Sequence, residues 1–478
     1  MSSIALVLLP ALASVALLAR AARERATLVL VGASAITTAL AIMGAAMPPD
    51  APGLLGGFFR VDATSRLFMT VVDSIFLGIS LYVMHRVYTT PALRKDIARF
   101  VWLALLFLAA ANAVLLANHL VLLWIALEAT TLAAAPLIVR PGIPASHRAS
   151  WRYLLFSSVG LGVLLVGFIC LGRGLESGGQ APTFFLDRLL APPAIPVNAW
   201  TKLGAALALL GLGTKLGLAP MYSWLPEAYD EAPPAVAALL GAIQFNCVLV
   251  ALFRVVQVLR PTHASLLAGE LLTMGIVSVV VSTVGIIATR NLKRLIAYAS
   301  INHAGVIAIG LGVGKSASYG LLLYVLSNAF IKAILFLTAG TIKAHYHTKD
   351  TREISGLIED LPYSGGFLMV GTFALLGFPP FGSFLGELLI LSALVGSGQM
   401  LVFAAFCVLI TMTFVATGRA VFPMIWGEPT RRRSWPRQTL PVALPKLGFL
   451  VALVVLGVYI PPPVSSLLAQ VAVCLEGP

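Results

Sequence analysis

Four charged residues lie in stretches of sequence too apolar to solvate them. Glu128 sits in "HLVLLWIALEATTLAAAPLIV", Lys215 ends "GAALALLGLGTK", Lys332 lies in "LSNAFIKAILFLTAG" and Glu387 in "SFLGELLILSAL". Asp73 in "FMTVVDSIFLG" and His303 in "ASINHAGVIAIG" are further titratable groups of the same kind. A charge at the centre of a bilayer-spanning helix costs roughly 2.5–3.5 kcal/mol on insertion scales, so each needs a reason. One reason is an ion pair, or for Asp73 and His303 a hydrogen bond, that fixes helix packing. The other is a path for an ion. Lysine suits the second, because its surroundings can make it release a proton whereas arginine stays protonated. A lysine whose carboxylate partner moves nearer or farther can take up and release a proton, which couples a distant electrostatic event to proton movement without a cofactor.

The elements that must hold these groups are membrane-spanning helices. Of the 478 residues 59% are hydrophobic and 11% charged, which is too little charge for a soluble surface. About 14 apolar runs reach bilayer-crossing length. They lie near 4–20, 27–46, 67–88, 100–117, 119–139, 153–173, 203–226, 233–258, 266–289, 295–313, 318–343, 366–395, 400–426 and 441–461. The net charge of +13 does not call for a nucleic acid. Basic residues concentrate in alternate loops, from Arg20, Arg23 and Arg25 to the run RRRSWPR at 431–437, as the positive-inside rule requires. That pattern predicts both termini outside, with the N-terminal apolar run kept as a first span, since its positive charges follow it. Cys170, Cys247, Cys407 and Cys474 stand singly without ligand spacing, and "GLGTK" lacks the spacing of a phosphate loop. No metal, cofactor or catalytic redox centre is expected in this chain.

Two of the spans carry helix breakers. GLAPMYSWLPE at 217–227 and GFPPFGSFLGE at 377–387 coincide at Gly, Pro, Ser, Leu and Glu with an offset of 160 residues. Pro220 and Pro226 in the first copy, and Pro379 and Pro380 in the second, predict breaks. Paired interrupted helices in corresponding halves point to an internally repeated transporter with its site near the midplane. Carbonyls freed by a break are tolerated at depth only where protein or a water-filled cavity satisfies them. Lys215 stands beside such a break. Lys293, in "TRNLKRLIAYAS", reads as part of a solvated basic loop or as a lysine at a channel mouth.

"LLWIALEATTL", "GTKLGLAPMYSWLPEAYDEAPPAVAALL", "NLKRLIAYASINHAG", "NAFIKAILFLTAG" and "GFPPFGSFLGELLIL" together resemble the antiporter-like proton-pumping membrane subunits of respiratory complex I, multisubunit sodium/proton antiporters and membrane-bound hydrogenases. The likeness runs from about residue 60 to 430. "WIALEATTLAAAPLIV" and the "NC" of "IQFNCVLVALFR" place it nearest the hydrogenase-4 component F branch. The resemblance implies one all-α polytopic membrane domain of about 14 helices. It comprises N-terminal helices at 1–99, inverted five-helix repeats at 100–258 and 266–426, and a last span at 441–461. It also implies that Glu128 on the fifth helix pairs with Lys215 on the broken seventh, and that Lys332 and Glu387 continue the relay. The chain departs from the family pattern at Tyr222 and Tyr229, where histidines are usual, at Gln244 and Asn246, near a lysine of the complex I branch, and at Asn302. A tyrosine titrates near 10 and a histidine near 6.5, so the tyrosines are not expected to carry protons themselves. A tyrosine hydroxyl can still hold one end of a water chain. Water, or the acidic turn Glu227, Tyr229, Asp230 and Glu231 at the cytoplasmic mouth, would then feed Lys215. The alternative is that the acids solvate a loop and the tyrosines anchor the helix at the interface.

The implied function is proton translocation, or sodium translocation, by a membrane subunit of a hydrogenase-type redox complex in a bacterial inner membrane. Its partners would be other membrane subunits, the lipid bilayer and cytoplasmic redox subunits, with no nucleic acid. Membership of a cation/proton antiporter or of an inorganic-carbon uptake complex, and a non-conducting scaffold role, are the alternatives.

Overall fold

A computed structural model of the chain describes residues 2–19, 23–45, 55–89, 96–428 and 440–476. Their regular structure is helical, because in a hydrocarbon layer every backbone N–H and C=O must be paired within its own segment. Helices α1 (Ser2–Ala16), α2 (Ala26–Ala45) and α3 (Ala63–Thr89) come first. α4 (Ile97–Leu116), α5 (Leu120–Ile138), α6 (Pro144–Ser177), the short α7 (Leu186–Leu190), α8 (Ala199–Leu216) and α9 (Trp224–Glu231) follow. Next are α10 (Pro234–Ala238), a π-helical stretch at Leu239–Gln244, and α11 (Phe245–Ala288). The second half continues with α12 (Leu292–Val313), α13 (Ser318–Tyr346), the short α14 (Leu357–Asp360), α15 (Pro362–Leu375), α16 (Gly382–Gly396) and α17 (Met400–Trp426). α18 (Leu440–Val458) and α19 (Pro462–Glu476) close the chain. Among the described residues ten helices are long and apolar enough to cross a membrane, and three shorter apolar helices accompany them.

Most predicted spans coincide with these helices to within a few residues. The helical run Pro234–Ala288 is 55 residues, roughly 80 Å at helical rise and more than twice a bilayer core. It is kinked at His263, beside Pro261, so it divides into the two spans expected at 233–258 and 266–289. α19 is an addition to the sequence reading, which ended at the span 441–461. Its 15 residues are too few to register as a span, yet Leu468, Val471 and Leu475 are buried where it packs against α3, α11 and α13.

Both breaks occur where the repeat placed them. α8 stops at Gly217, whose left-handed φ of 79° turns the chain, and α15 stops at Gly377 with φ 67°. A cis peptide bond precedes Pro220 and Pro380. Equivalent carbonyls in the two breaks are satisfied by different donors. Trp224 Nε1 donates to the Thr214 carbonyl at 3.0 Å, and Ser383 Oγ to the Ala374 carbonyl at 2.7 Å. Pro226 is a correction, since it lies in the first turn of α9 and outside the break. A first-turn residue has no intrahelical partner for its N–H, so proline is tolerated there.

α6 and α8 are held closely by small residues, as is usual where lipid supplies no hydrophobic drive between helices. Gly160 faces Gly211 and Gly167 faces Gly204, with backbone against backbone. A Cβ on Gly211 would lie 2.6 Å from the Gly160 carbonyl oxygen. Gly211 is one turn before Lys215, so this contact also fixes the height and direction of that lysine. We expect Gly211→Val to separate the helices and destabilise the protein by about 1–3 kcal/mol. Thermal denaturation in detergent would show the loss, and an unchanged midpoint would contradict the packing argument.

Candidate functional site

The break after α8 leaves Lys215 in the last helical turn, 4% exposed, facing α5. Its Nζ donates to the Leu127 carbonyl at 3.0 Å and to the Thr131 hydroxyl. Glu128 is on the same turn of α5, but the expected direct ion pair is not made. The carboxylate accepts from Ser158 Oγ of α6 at 2.7 Å, and its second oxygen is buried without a partner. Lys215 therefore rests on the backbone and hydroxyl beside the acid, one side-chain movement away from it.

From α5 the polar contacts continue toward the second half. Gln244, the last residue of the π-helical stretch, donates from Nε2 to Thr130 Oγ1 at 3.3 Å and to the Tyr153 hydroxyl at 2.6 Å. Tyr153 in turn donates to Gln244 Oε1 at 3.0 Å. The next residue, Phe245, covers Lys332. The ammonium lies 3.3 Å from the ring centroid, is 0% exposed, and has no hydrogen-bond acceptor. An ammonium can face an aromatic ring favourably, but the ring supplies no lone pair to accept a proton. Phe245 is thus the point where the polar line is interrupted.

One turn from Lys332, Asn328 Oδ1 meets His303 Nδ1 of α12 at 2.5 Å. His303 Nε2 meets the Leu375 carbonyl, the last residue of α15, at 3.2 Å. A carbonyl only accepts, so Nε2 carries a hydrogen and donates. In a neutral ring Nδ1 then needs a donor, which the Asn328 amide provides if its ends are exchanged, and Asn328 Nδ2 is at present without a partner. In the other state the ring is an imidazolium donating from both nitrogens. The two arrangements differ by one proton, so this pair can hold a proton by rotating an amide. Beyond it the His303 ring packs on Tyr324 at 5.3 Å. Glu387 is half-buried on α16 and leans on the second break: a Cβ on Gly377 would lie 2.5 Å from its Oε2.

The remaining candidates lie off this line. Asp73 is fully buried among the N-terminal helices, accepting from Asn112 Nδ2 at 3.2 Å with its other oxygen unpartnered. Lys293 is not in a solvated loop. It is 2% exposed in the first turn of α12 and donates to the Asp230 and Ala232 carbonyls at 2.8 and 2.6 Å. Each acid of the mouth is paired: Glu227 with Arg152, Asp230 with Lys349 and Arg294, and Glu231 with Arg140 and Lys349. Tyr229 is buried edge-on to Phe336 at 5.3 Å, while Tyr222 is half-buried. Tyr222→Phe and Tyr229→Phe keep the rings and are expected to leave ion translocation unchanged in a vesicle assay. Glu227→Gln removes one exposed ion pair, worth about 0–1 kcal/mol of stability. Loss of transport in any of these three would show that a hydroxyl or acid route feeds Lys215.

Sequence reasoning missed Thr130, Thr131, Tyr153, Tyr324, Asn328 and Phe245. The adjacent threonines of "EATTL", two and three residues after an acid in an apolar span, are the one local signal for any of them.

A broken-helix, all-α membrane bundle with buried lysines in both halves defines a class. The chain belongs to the NADH:quinone oxidoreductase/Mrp antiporter transmembrane family, whose pattern matches residues 117–413. It is a polytopic integral membrane protein of the antiporter-like subunit type. It is 30% identical over 437 residues to the hydrogenase-4 component F homolog of Methylacidiphilum infernorum, covering 88% of this chain and 89% of that protein. A chain of respiratory complex I from Thermus thermophilus superposes with a TM-score of 0.82, at 25% identity and 100% coverage of both chains. A chain of the Mrp complex from Dietzia sp. shares the fold with a TM-score of 0.87, at 21% identity, covering 99% of this chain and 97% of the other.

Proposed function

We propose that this chain translocates protons as a membrane subunit of a hydrogenase-type redox complex. Lys215 and Lys332 are the principal carriers, with Glu128, His303 and Glu387 modulating or extending the relay. One observation carries the reading. A buried lysine stands in each half of the protein: Lys215 and Thr130 share the Leu127 carbonyl, Gln244 joins Thr130 to Tyr153, and the chain neighbour of Gln244, Phe245, covers Lys332. Neither lysine is in an ion pair, so helix fixation by charge pairing does not account for them. The fold of the two repeats at 100–258 and 266–426 would let each half open to one side of the membrane. Movement of Phe245 away from Lys332 would join them.

The names of the relatives support a multisubunit setting: a hydrogenase-4 component, and a chain of a complex I structure with bound NADH. Other membrane subunits are the expected partners, with redox centres on cytoplasmic subunits. The second reading, a sodium/proton antiporter component, rests on 27% identity over 329 residues to a Na(+)/H(+) antiporter protein of Bacillus subtilis. Proteoliposomes of the purified complex separate the two. Redox-driven acidification measured with a pH-sensitive dye should persist when sodium is replaced by potassium. Loss of the signal without sodium would overturn proton translocation as the primary activity.

The proposed orientation, in a bacterial cytoplasmic membrane with both termini outside, rests on the basic loops. Residues 431–437 lie outside the described residues but are the densest of these. We expect a cysteine at Ser434 to react with a membrane-impermeant reagent only after cell disruption. Labelling in intact cells would reverse the topology.

A further inference from the structure

We propose that a cavity at one end of the bundle binds the phosphate headgroup of an anionic phospholipid, whose acyl chains lie along its apolar wall. The cavity measures about 400 Å³ and forms where the C-terminal ends of α3 and α5 meet the start of α4 and of α10. Five cations line it, Arg86, Arg99, Arg140, Lys293 and Lys343, against one carboxylate, Asp96. Some of this charge is already used: Lys293 donates to two carbonyls, and Arg140 pairs with Glu231 through one guanidinium nitrogen. The rest is not. Arg140 Nε is buried without an acceptor; Arg86 and Lys343 are half-buried and Arg99 is exposed, and the side chains of these three have no acceptor among the described residues. A buried donor left unpaired is costly, so the geometry leaves room for an anionic oxygen.

The wall decides between sources of phosphate. Val83, Val87, Phe100, Leu103 and Leu137 line the cavity together with the cations, and hydrated inorganic phosphate would gain nothing from them. An amphiphile with a phosphodiester head and apolar tail satisfies both parts. The arginines suit the head, because a guanidinium fork matches phosphate oxygens in pairs. Basic pockets between membrane helices at a positively charged face are where such headgroups are held. No residue of the ion path lines the cavity, so a lipid here stands apart from translocation.

The test uses the full chain in its native membrane and complex, with p-benzoylphenylalanine introduced at Phe100. After irradiation, mass spectrometry should identify an adduct of phosphatidylglycerol or another anionic phospholipid in preference to a zwitterionic one. Arg86→Gln with Arg99→Gln should reduce that adduct by about fivefold per cation removed. An Arg290→Gln and Arg419→Gln pair, which removes the same charge elsewhere, should leave it within about twofold, because headgroup attraction falls off within a Debye length. If the double variant does not accumulate, Lys343→Gln alone tests the same site. Equal adduct yield in the cavity variants would overturn the proposal. So would cross-linking to a neighbouring polypeptide instead of lipid, or displacement of the lipid by excess soluble glycerol phosphate.

Discussion

Replacing Lys215 with methionine is expected to leave the protein folded and inserted while reducing proton translocation on the order of 10²-fold, the scale of losing one proton-transferring group. Methionine keeps an unbranched apolar stem, one atom shorter than lysine, but cannot bind a proton. The structural cost is small, because among the described residues Lys215 bonds to the Leu127 carbonyl and the Thr131 hydroxyl, so its removal breaks two hydrogen bonds and no direct ion pair. Glu128→Gln is expected to act in the same direction and less completely, since its contact to Ser158 can be kept by the amide. Subunit co-purification would establish assembly, and a pH-dye assay in proteoliposomes would measure transport. Pumping at the wild-type rate in Lys215→Met would remove this residue from the relay.

Lys332→Met separates function from structure more sharply. Lys332 is fully buried, has no hydrogen-bond acceptor, and touches the Phe245 ring. Burying a charge without a partner costs stability, so exchanging it for an apolar group of similar shape is expected to be neutral or stabilising. A lysine retained for packing would make its removal destabilising. A lysine retained for ion transfer would make the variant as stable as the parent, or more so, and inactive. We therefore expect Lys332→Met to raise or preserve the thermal denaturation midpoint and to reduce translocation on the order of 10²-fold. A lowered midpoint with transport intact would assign Lys332 to the scaffold. Phe245→Leu gives a companion measurement, because it keeps the site apolar while removing the ring that faces the ammonium.

Much of this molecule is legible along one dimension. Apolar runs and the Gly-Pro interruptions are local properties of the chain, and each has one outcome in a bilayer. Helices form because unpaired backbone is prohibitive there. They stop at Gly217 and Gly377, where the chain turns through a conformation glycine adopts without strain. The same reasoning singled out Glu128, Lys215, Lys332 and Glu387, since a charge without water stands out in any apolar sequence.

What local reasoning could not supply is the partner of each of these groups. Lys215 meets residues 84 and 88 positions away, and Gln244 meets Tyr153 across 91. Such contacts depend on how far each helix is rotated and where it crosses its neighbour, which small residues such as Gly160 and Gly211 set by close approach. A helix rotated by one residue turns its side chain through about 100°. Hence composition and spacing established a membrane protein with two breaks and buried charge. Only the packed bundle decided that Lys215 sits on Thr131 and not on Glu128, that Phe245 caps Lys332, and that Asn328 holds His303.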